Sequence, residues 1–463
     1  MPAYSGIGSK SSRFWALSAG KTASPPSLRK SITLVSGYHY GQGRNATMER
    51  IDAHERHERA MRCAERIRAY GGERHGHADV VIIGSANADY TVVTPRLPEP
   101  GETVIGGDIA VLPGGKSANQ AASCSRTGVA ATMIGCVGTD GNAQFLRDQL
   151  AGAGADVSQL ITVDGPSGAT LITVDAHGEN TIVVAPGANA ALSPAMLDAK
   201  QPVIEQARYV GLCLETPIDT VLAAARIAHA GQGRAAASAE RQTAQAGGDA
   251  IRPESTHQDT PAGPTQASAQ TVVNLSPFDS KHLAQLAEAT DILLVNELEC
   301  ARLVAAAEST RTPEDAAQAK HAAAGITATH DAAAPDTVSS AKDASSVAES
   351  AAGAATEPLT SESDWDSIAT RLSATGFRRA VVTLGGDGCV VIDDRRVTYV
   401  PAVVCHVVDT TGCGDAFMGA TLASLAAGCS LADAACLATA VAGSAAERAG
   451  AQASYRPLDE IAL

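Results

Sequence analysis

The sequence is poor in aromatic residues, in basic residues and in long apolar runs. Only 3% of its 463 residues are aromatic (two Trp, eight Tyr and five Phe), so a core must be built from Ala, Val, Leu and Ile. Fifty acidic residues against 35 basic ones give a formal charge of −15. This balance argues against a nucleic-acid partner held by bulk charge. Because no apolar run reaches the roughly 18 residues of a transmembrane helix, we expect no membrane partner either.

The sequence also lacks paired cysteines. Its ten cysteines are scattered, with no Cys-x-x-Cys pair and no Cys/His group at zinc spacing. This pattern argues against a structural zinc site and indicates reduced thiols in a cytoplasmic protein, most of them small core residues.

The N-terminal part differs in composition from the rest. Residues 1–47 hold six Lys or Arg and no acidic residue, which is typical of a transit peptide or of a disordered tail. Residues 48–70 alternate in charge and predict a solvated helix. We therefore interpret 1–78 as an N-terminal extension, disordered or partly helical, and 79–463 as the folded domain.

Two internal stretches are too poor in bulky side chains to form a core. Residues 231–270 contain one bulky aliphatic side chain, and residues 306–361 are rich in Ala. Such segments cannot bury enough apolar surface to offset the entropy of ordering them. We expect both to be low-complexity insertions that can be deleted without loss of the fold.

Elsewhere after residue 79, strand-like and helix-like segments alternate. Residues 168–175 and 179–185 alternate apolar and polar side chains and predict a hairpin. The other predicted strands are 79–84, 132–137, 208–214, 271–275, 292–295 and 380–384. The predicted helices are 142–152, 217–230 and 415–448. This order favours right-handed crossovers and a mostly parallel sheet with helices on both faces.

The C-terminal motif Val408-Asp-Thr-Thr-Gly-Cys-Gly-Asp-Ala-Phe417 carries the strongest chemical signal. Its glycines let the backbone approach a ligand, and Asp415 lies where a helix begins, so free amides there favour an anion. A carboxylate beside such amides suits phosphoryl transfer, because it can accept the proton of the attacking hydroxyl. An ordinary helix cap with glycine turns is the structural alternative.

A second group of motifs follows the first strand. Gly114-Gly-Lys-Ser-Ala-Asn119 resembles a phosphate-binding P-loop, but its register fails because residue 110 is Ala, so we reject that interpretation. Gly115 instead leaves room for a polyol. Asn87 and Asp89 follow the strand that ends at Gly84, where parallel sheets bind ligands. An amide and a carboxylate can bind vicinal hydroxyls, although such residues are also common turn formers.

Two further motifs point to a nucleotide. Asn296 and Glu299 follow a predicted strand at helical spacing and could organise Mg²⁺, or they could form a capping box. The sequence Thr383–Gly388 would let a nucleotide lie against the backbone, but a hairpin turn fits the same letters.

Taken in this order, the motifs are similar to those of the ribokinase family of sugar kinases. The resemblance covers about 79–463 less the two insertions, and rests on IIGSANADYTV, GGKSANQAA, GANAALSP, TLGGDG and DTTGCGDAF. It implies a three-layer α/β/α sandwich with a mostly parallel sheet and a small β lid from about 90–113 and 168–185. It also implies ATP-dependent phosphorylation of D-ribose at the 5-hydroxyl, with Mg²⁺ and K⁺, by a homodimer joined through the lid.

The resemblance implies a role for each matching residue. Asp415 would be the general base, with the amides of Gly412, Cys413 and Gly414 as the anion hole. The ribose site would be Asn87, Asp89, Gly115, Lys116, Asn119, Glu215 and Asp415. The ATP site would be Asn296, Thr383, Leu384, Gly385, Gly386, Asp387, Gly388, Gly414 and Thr439. K⁺ would lie near Asp409, Thr411, Ala445, Arg448, Gly450 and Ser454, and Mg²⁺ near Glu299 through water.

This sequence departs from the family pattern at Ser117 and Cys413. Ser117 replaces the glycine usual after the lysine, which we expect to tighten the sugar loop. Cys413 replaces the usual alanine, a small change. Sibling kinases for deoxyribose, fructose or a nucleoside stay open as alternatives, as does a catalytically silent sugar-binding regulator.

Overall fold

The computed structural model describes residues 48–71, 78–231, 269–309, 357–394 and 396–463, all within the unit Asn45–Leu463. Residues 1–47 and nearly all of both expected insertions lie outside these described residues, so the hypotheses about them stay predictions.

The strands form three sheets. Their bounds are β1 (Glu49–Arg50), β2 (Val80–Ile83), β3 (Asn87–Val93), β4 (Ile109–Gly114), β5 (Ala131–Ile134), β6 (Cys136–Val137), β7 (Ile161–Thr162), β8 (Gly168–Val174), β9 (Asn180–Ala185), β10 (Tyr209–Cys213), β11 (Gln270–Asn274), β12 (Ile292–Asn296), β13 (Arg379–Thr383), β14 (Cys389–Asp393) and β15 (Arg396–Val400). Nine of them form the central sheet, in the order β1-β15-β14-β13-β12-β11-β10-β2-β5. Neighbours in this sheet are parallel except at β13–β14 and β14–β15.

Helices cover both faces of the central sheet. Their bounds are α1 (Ala53–Gly71), α2 (Lys116–Thr127), α3 (Gly141–Gly152), α4 (Pro194–Asp198), α5 (Gln201–Gln206), α6 (218–231), α7 (Leu283–Glu288), α8 (Glu297–Ser309), α9 (Trp365–Ala374), α10 (Cys413–Ala426) and α11 (Leu431–Ala446). Helices α1–α3, α10 and α11 pack on one face, and α4–α9 on the other.

The period of two in each strand explains why both faces are covered. In β2, Val80 and Ile82 belong to one apolar cluster and Val81 and Ile83 to the other. All four are buried, as expected of a parallel strand enclosed by helices. The predicted three-layer α/β/α fold with a mostly parallel sheet is confirmed. No helix among the described residues is long and apolar enough to cross a membrane.

A separate four-stranded sheet matches the expected lid. Its strand order is β4-β3-β8-β9, with β3 and β8 parallel and both outer pairs antiparallel. The hairpin predicted over 168–185 is the pair β8–β9. Strand β4 leads through Gly114 into α2, and this lid strand in front of Lys116 agrees with the rejection of a P-loop.

The helix predicted over 48–70 is present, but its expected solvated character is wrong. Ala60, Cys63, Ala64 and Ile67 follow helical spacing, are buried, and pack with residues of α10 and α11. Strand β1 in front of this helix pairs with β15 at the sheet edge. Among the described residues, the packed fold therefore includes 48–71 and is not limited to 79–463.

Candidate active site

Asp415 lies buried in the first turn of α10. The Nδ2 of Asn119 donates to its Oδ2 at 2.9 Å, and the Nε2 of Gln120 donates to its Oδ1 at 3.3 Å. Burial raises the pKa of Asp415 above its ordinary value, while the charge of Lys116 and the Asn119 amide oppose that rise. The carboxylate is therefore fixed in direction and has the raised basicity that a proton acceptor uses.

Two glycines shape the loop in front of α10. Gly412 has φ of +74°, and a Cβ there would lie 2.6 Å from both the Ala451 Cβ and the Tyr455 hydroxyl. A Cβ on Gly414 would meet nothing within 4 Å, so that side of the loop is open.

The three amides of the predicted anion hole are not equivalent. The Cys413 N–H donates to the Thr410 carbonyl at 3.2 Å, whereas within the described chain the Gly412 and Gly414 amides donate to no carbonyl. The Cys413 amide is therefore occupied within the loop in this conformation, and the anion hole of Gly412, Cys413 and Gly414 stays a prediction.

Lys116 and Glu215 form the centre of the predicted sugar site. Glu215 Oε2 accepts the Lys116 backbone N–H at 3.0 Å and the Ser85 hydroxyl at 2.6 Å. Burial opposes the charge on Lys116, but Asp415 and Glu215 outweigh it and raise the pKa of the lysine. Lys116 therefore stays positively charged beside the two carboxylates.

Asp89 and Asn87 face this cluster from strand β3. Burial and the charges of Glu215 and Asp415 raise the pKa of Asp89 to about 6. Its Oδ1 is buried, and within the described part of the chain it has no hydrogen-bond partner. Asn87 Oδ1 accepts from Asn189 Nδ2 at 2.7 Å. Asp89 therefore presents a free acceptor.

The loop that carries Lys116 depends on glycines. Gly115 has φ of +89°, and a Cβ there would lie 2.8 Å from the Ala86 Cα. The side chain of Ser117 is buried, with its Oγ 3.0 Å from the Cys213 sulfur and 3.4 Å from the Ile83 carbonyl. The hydroxyl that distinguishes this loop from the family pattern thus fastens it to β2 and β10.

Two of the predicted cation residues, Thr411 and Gly450, donate to Asp409. Its Oδ1 accepts the Thr411 N–H at 2.9 Å and its Oδ2 accepts the Gly450 N–H at 2.7 Å. Burial opposes the charge, but these donors hold the pKa of Asp409 below its usual value. Ala445 and Arg448 form a turn, with the Arg448 N–H on the Ala445 carbonyl at 3.2 Å. The buried Ser454 donates to the Ala451 carbonyl at 2.7 Å.

The predicted nucleotide site contains both the capping box and the hairpin turn that the sequence left open as structural alternatives. The Asn296 Oδ1 accepts the Glu299 N–H at 2.8 Å, and the Glu299 Oε2 accepts the Asn296 N–H at 3.0 Å, which is a capping box. Residues 384–388 form the turn between antiparallel β13 and β14. These contacts leave one carboxylate oxygen of Glu299 and the open faces of Gly385 and Gly386 for a ligand.

The remaining nucleotide residues lie on neighbouring elements. The Thr383 hydroxyl is 3.5 Å from the Val295 carbonyl of the adjacent strand. Thr439 is buried in α11 and donates to the Ala435 carbonyl at 2.8 Å. No group of three His, Cys, Asp or Glu in the described chain could hold a metal ion by itself.

Sequence reasoning missed four residues that support this site. They are Gln120, Asn189, Gln452 and Tyr455. Gln452 Nε2 donates to Asn119 Oδ1 at 3.0 Å, and the Tyr455 hydroxyl donates to the Gly412 carbonyl at 2.8 Å. Gln120 and Asn189 lie inside the motifs GGKSANQAA and GANAALSP, so their position in the sequence could have indicated a role in the site. No motif of the sequence analysis contains Gln452 or Tyr455.

Comparisons with known proteins agree with this geometry. A sequence model described as the pfkB family of carbohydrate kinases matches residues 77–257 and 339–457. A ribokinase of Staphylococcus aureus is 39% identical over 154 residues, which cover 33% of this chain and 50% of that protein. The chain thus spans about half the length of the first curated relatives that it matches.

Two longer matches extend over most of the chain. A ribokinase of Lactococcus lactis is 25% identical over 383 residues, covering 82% of this chain and 95% of that protein. The structure of Arabidopsis thaliana ribokinase complexed with ribose and ATP aligns with a TM-score of 0.58 at 22% identity, covering 83% of this chain and 97% of that one. At that identity the structural match shows the fold alone.

Proposed function

Because the chain belongs to the pfkB family of carbohydrate kinases, we propose that it phosphorylates D-ribose at the 5-hydroxyl with ATP, giving D-ribose 5-phosphate. One observation carries this proposal: the buried Asp415 carboxylate lies in the same helix turn as the Gly414 amide. A proton acceptor next to anion-binding amides is what phosphoryl transfer requires. The ribokinases among the relatives support ribose as the acceptor.

In the proposed reaction, Asp415 takes the proton of the ribose 5-hydroxyl as that oxygen attacks the γ-phosphorus of ATP. The bond between this phosphorus and the β,γ-bridging oxygen breaks, and ADP leaves with the electron pair. The amides of Gly412 and Gly414 would stabilise the charge on the transferring group. The positive charge of Lys116 lies near the same carboxylate.

The sugar site fits a small polyol. Asp89 offers a buried acceptor that lacks a partner within the described chain, and a sugar hydroxyl would supply its donor. Asn87, Asn119 and Glu215 add amide and carboxylate groups to the same site. A nucleoside would need an apolar or aromatic contact for its base, and no Phe or Trp lies between residues 90 and 113. These features favour a small free sugar over a nucleoside.

ATP would lie along the turn at residues 384–388, between Asn296, Thr383 and Thr439. A Cβ on Gly385 or Gly386 would meet nothing within 4 Å, so the backbone there is accessible to a nucleotide. The Gly414 amide would reach the γ-phosphate.

The donor set fits Mg²⁺ only through water and phosphate. Glu299 keeps one free carboxylate oxygen, and Mg²⁺ in such sites is typically bound by one or two carboxylates together with phosphates and water. When bound, the ion would neutralise charge on the phosphates.

The cation loop fits K⁺. Its donors would be Asp409, the Ser454 hydroxyl and backbone oxygens near Thr411, Ala445, Arg448 and Gly450, an oxygen set that suits a hard cation. A bound cation would stabilise the loop that precedes the anion hole. We also propose a homodimer through the β lid and, from ten cysteines that are all free, a cytoplasmic location.

ADP release from the purified protein tests this function. We expect release with ribose and little with deoxyribose, fructose or nucleosides, and faster release in K⁺ than in Na⁺. Asp415→Asn should lower kcat by roughly 10²–10⁴ while ribose still binds, because it removes only the base. Near-normal turnover of that variant would remove Asp415 from its role, and equal rates in both salts would contradict the cation site.

Two other outcomes would select the alternatives. A preference for another acceptor in the panel would assign a sibling kinase. Ribose binding without ADP release from any acceptor would assign a silent sugar-binding regulator.

A further inference from the structure

We propose that Gln452 is a positioning residue that fixes the Asn119 amide and thereby holds the Asp415 carboxylate in its ionised, reactive orientation. This inference rests on the proposed function for its kinetic consequences, but the hydrogen bonds that support it belong to the fold itself.

The loop that carries Gln452 is fastened on both sides of the anion hole. The Gly450 N–H donates to Asp409 at 2.7 Å, and the Tyr455 hydroxyl donates to the Gly412 carbonyl at 2.8 Å. Buried Ala451 packs so closely against Gly412 that a Cβ there would lie 2.6 Å from the Ala451 Cβ. The backbone on either side of Gln452 therefore has a fixed position relative to Asp415.

The side chain of Gln452 continues this connection to the base. Its Nε2 donates to the Asn119 Oδ1 at 3.0 Å, and the Asn119 Nδ2 donates to the Asp415 Oδ2 at 2.9 Å. Asn119 is buried in the first turn of α2, so few other donors can reach its oxygen. The two bonds connect Gln452 to Asp415 through the side chain of Asn119, which lies more than 290 positions earlier in the sequence than either residue.

The directions of these bonds are dictated by charge. An ionised carboxylate only accepts hydrogen bonds, so Asn119 must turn its NH₂ group towards Asp415. The Asn119 oxygen then faces Gln452, which must present a donor. If Gln452 donates, the direct bond to Asp415 is maintained, and the ionised form of the base is favoured. Gln452 thus acts on the reaction through Asn119 without touching a substrate.

Gln452 keeps this orientation although its other amide atom is unsatisfied. The Oε1 of Gln452 is buried, and the described part of the chain provides it with no hydrogen-bond partner. A buried unsatisfied acceptor in a native fold calls for an explanation. The donation to Asn119 supplies one, because it holds the amide in a single orientation.

The local electrostatics make such a donor necessary. Burial already raises the pKa of Asp415, and only nearby donors and one cation oppose this effect. The charged and titratable groups facing Asp415 are Lys116, Glu215, Asp89, Cys413 and Tyr455. Glu215 and Asp89 are carboxyl groups that disfavour the charge on Asp415, so the ionised form depends on Lys116 and on the amide donors Asn119 and Gln120.

Gln452→Glu is the sharpest test, because it preserves shape and inverts the hydrogen bond. An ionised Glu can only accept, so Asn119 would turn its NH₂ group away from Asp415, and the protonated base would be favoured. Gln452→Leu removes the donor without adding a charge. Gln149→Glu adds the same charge on the exposed face of α3, where Gln149 lines the same surface cavity as Gln452 but does not hydrogen-bond to Asn119.

Carbon-13 NMR of aspartate-labelled protein would report the pKa of Asp415 directly, with Asp415→Asn identifying its signal. We expect this pKa to rise by about one unit in Gln452→Glu, less in Gln452→Leu, and not in Gln149→Glu. In the same order, kcat at pH 7 should fall by up to about tenfold, because a rise of one pKa unit lowers the ionised fraction of Asp415 by no more than that. The rate should recover as the pH rises, with little change in the KM for ATP. Circular dichroism melts would confirm that each variant folds.

Two results would overturn the proposal. An unchanged Asp415 pKa in both Gln452 variants would show that Asn119 needs no such partner. An equal rise in Gln149→Glu would show a general charge effect. If the wild-type protein phosphorylates no acceptor, the proposed function fails, whereas the NMR titration still decides the role of Gln452.

Discussion

The position of Asp89 in the proposed sugar site lowers the stability of the folded protein. Its carboxylate is partly buried near Glu215 and Asp415, and burial together with these charges raises its pKa to about 6. Its Oδ1 lacks a partner among the described residues, and an unsatisfied buried acceptor costs about 1–3 kcal/mol. In the proposed ribose complex a sugar hydroxyl would remove that cost. The free protein therefore holds Asp89 in a binding-competent but unfavourable state.

Asp89→Asn should stabilise the free protein at pH 8 and weaken ribose binding. The pKa of Asp89 is about 6 in the folded protein and 3.8 at its ordinary value, which represents the unfolded chain. Between about pH 4 and pH 6 the folded state therefore binds more protons than the unfolded state, so the free energy of unfolding falls as the pH rises through this range. Removal of the charge should therefore raise the free energy of unfolding by roughly 1–3 kcal/mol at pH 8 and by much less near pH 4. Urea unfolding at both pH values measures this difference, and calorimetry measures ribose affinity.

Asp108→Asn is the matched control for that experiment, because this carboxylate is exposed in the same lid region. We expect no comparable gain in stability there. A gain in Asp89→Asn that is the same at pH 4 and pH 8 would contradict the electrostatic explanation.

Residues in local motifs could be predicted, whereas their supports could not. Glycine-rich motifs contain Asp415, Lys116 and Asn119. The residues next to each of them in the sequence indicate the chemistry of the motif. Gln452 acts on Asn119 from 333 positions away, and Tyr455 acts on a backbone carbonyl. Such contacts depend on how distant segments pack, and no local pattern encodes them. The bond from the Cys413 amide to Thr410 is likewise visible only once the loop is folded.

At the scale of elements, α1 extends the fold beyond the residues matched by the family model. Its buried face packs with α10 and α11, and β1 before it adds a parallel strand beside β15. Ion pairs lie on its polar side: Arg59 with Glu55 at 2.6 Å within the helix, and Arg68 with Asp459 of the C-terminal segment at 2.8 Å. Exposed pairs of this kind contribute little, so the apolar face provides most of the attachment.

Ile67→Ala should destabilise the whole protein, because α1 belongs to the core. Ile67 is almost fully buried, and truncation of such a side chain typically costs about 2–5 kcal/mol. Met61→Ala on the exposed face of the same helix should change stability by less than about 0.5 kcal/mol. Urea unfolding followed by circular dichroism measures both. Equal, small effects would show that α1 is peripheral, as its charge pattern suggested.

The elements that sequence patterns predicted and those that they missed differ in physical character. Parallel strands such as β2 and β12 are continuous apolar runs and were readily identified. Helix α1 was misjudged because its buried face consists largely of Ala and Cys, which give a weak apolar signal. The antiparallel pair β14–β15 was missed because the glycine-rich residues 384–388 before it fit either a turn or a nucleotide-binding loop. In the structure these residues form the turn that leads into β14.

At the scale of the whole molecule, the lid leaves apolar surface uncovered. Leu171 and Val183 are paired across β8 and β9, and they are 56% and 62% exposed. Val111 lies on the same face, because Val111 and Leu171 both pair with Tyr90 of β3. Ile109, two residues before Val111 in β4, extends this exposed face. Among the described residues, strand β9 also ends the sheet with an unpaired edge. Exposed apolar faces and open edges of this kind are typical of surfaces that meet another chain.

Val183→Glu should therefore convert the proposed homodimer into a monomer. A charge in the centre of the exposed row would have to be buried without a partner on association, which costs more than an apolar contact returns. Met61→Glu, an exposed apolar residue of α1 outside the lid, should leave the dimer intact. Light scattering after size exclusion measures the mass of each variant. A monomeric wild-type protein would refute the lid dimer, and a dimeric Val183→Glu would place the interface elsewhere.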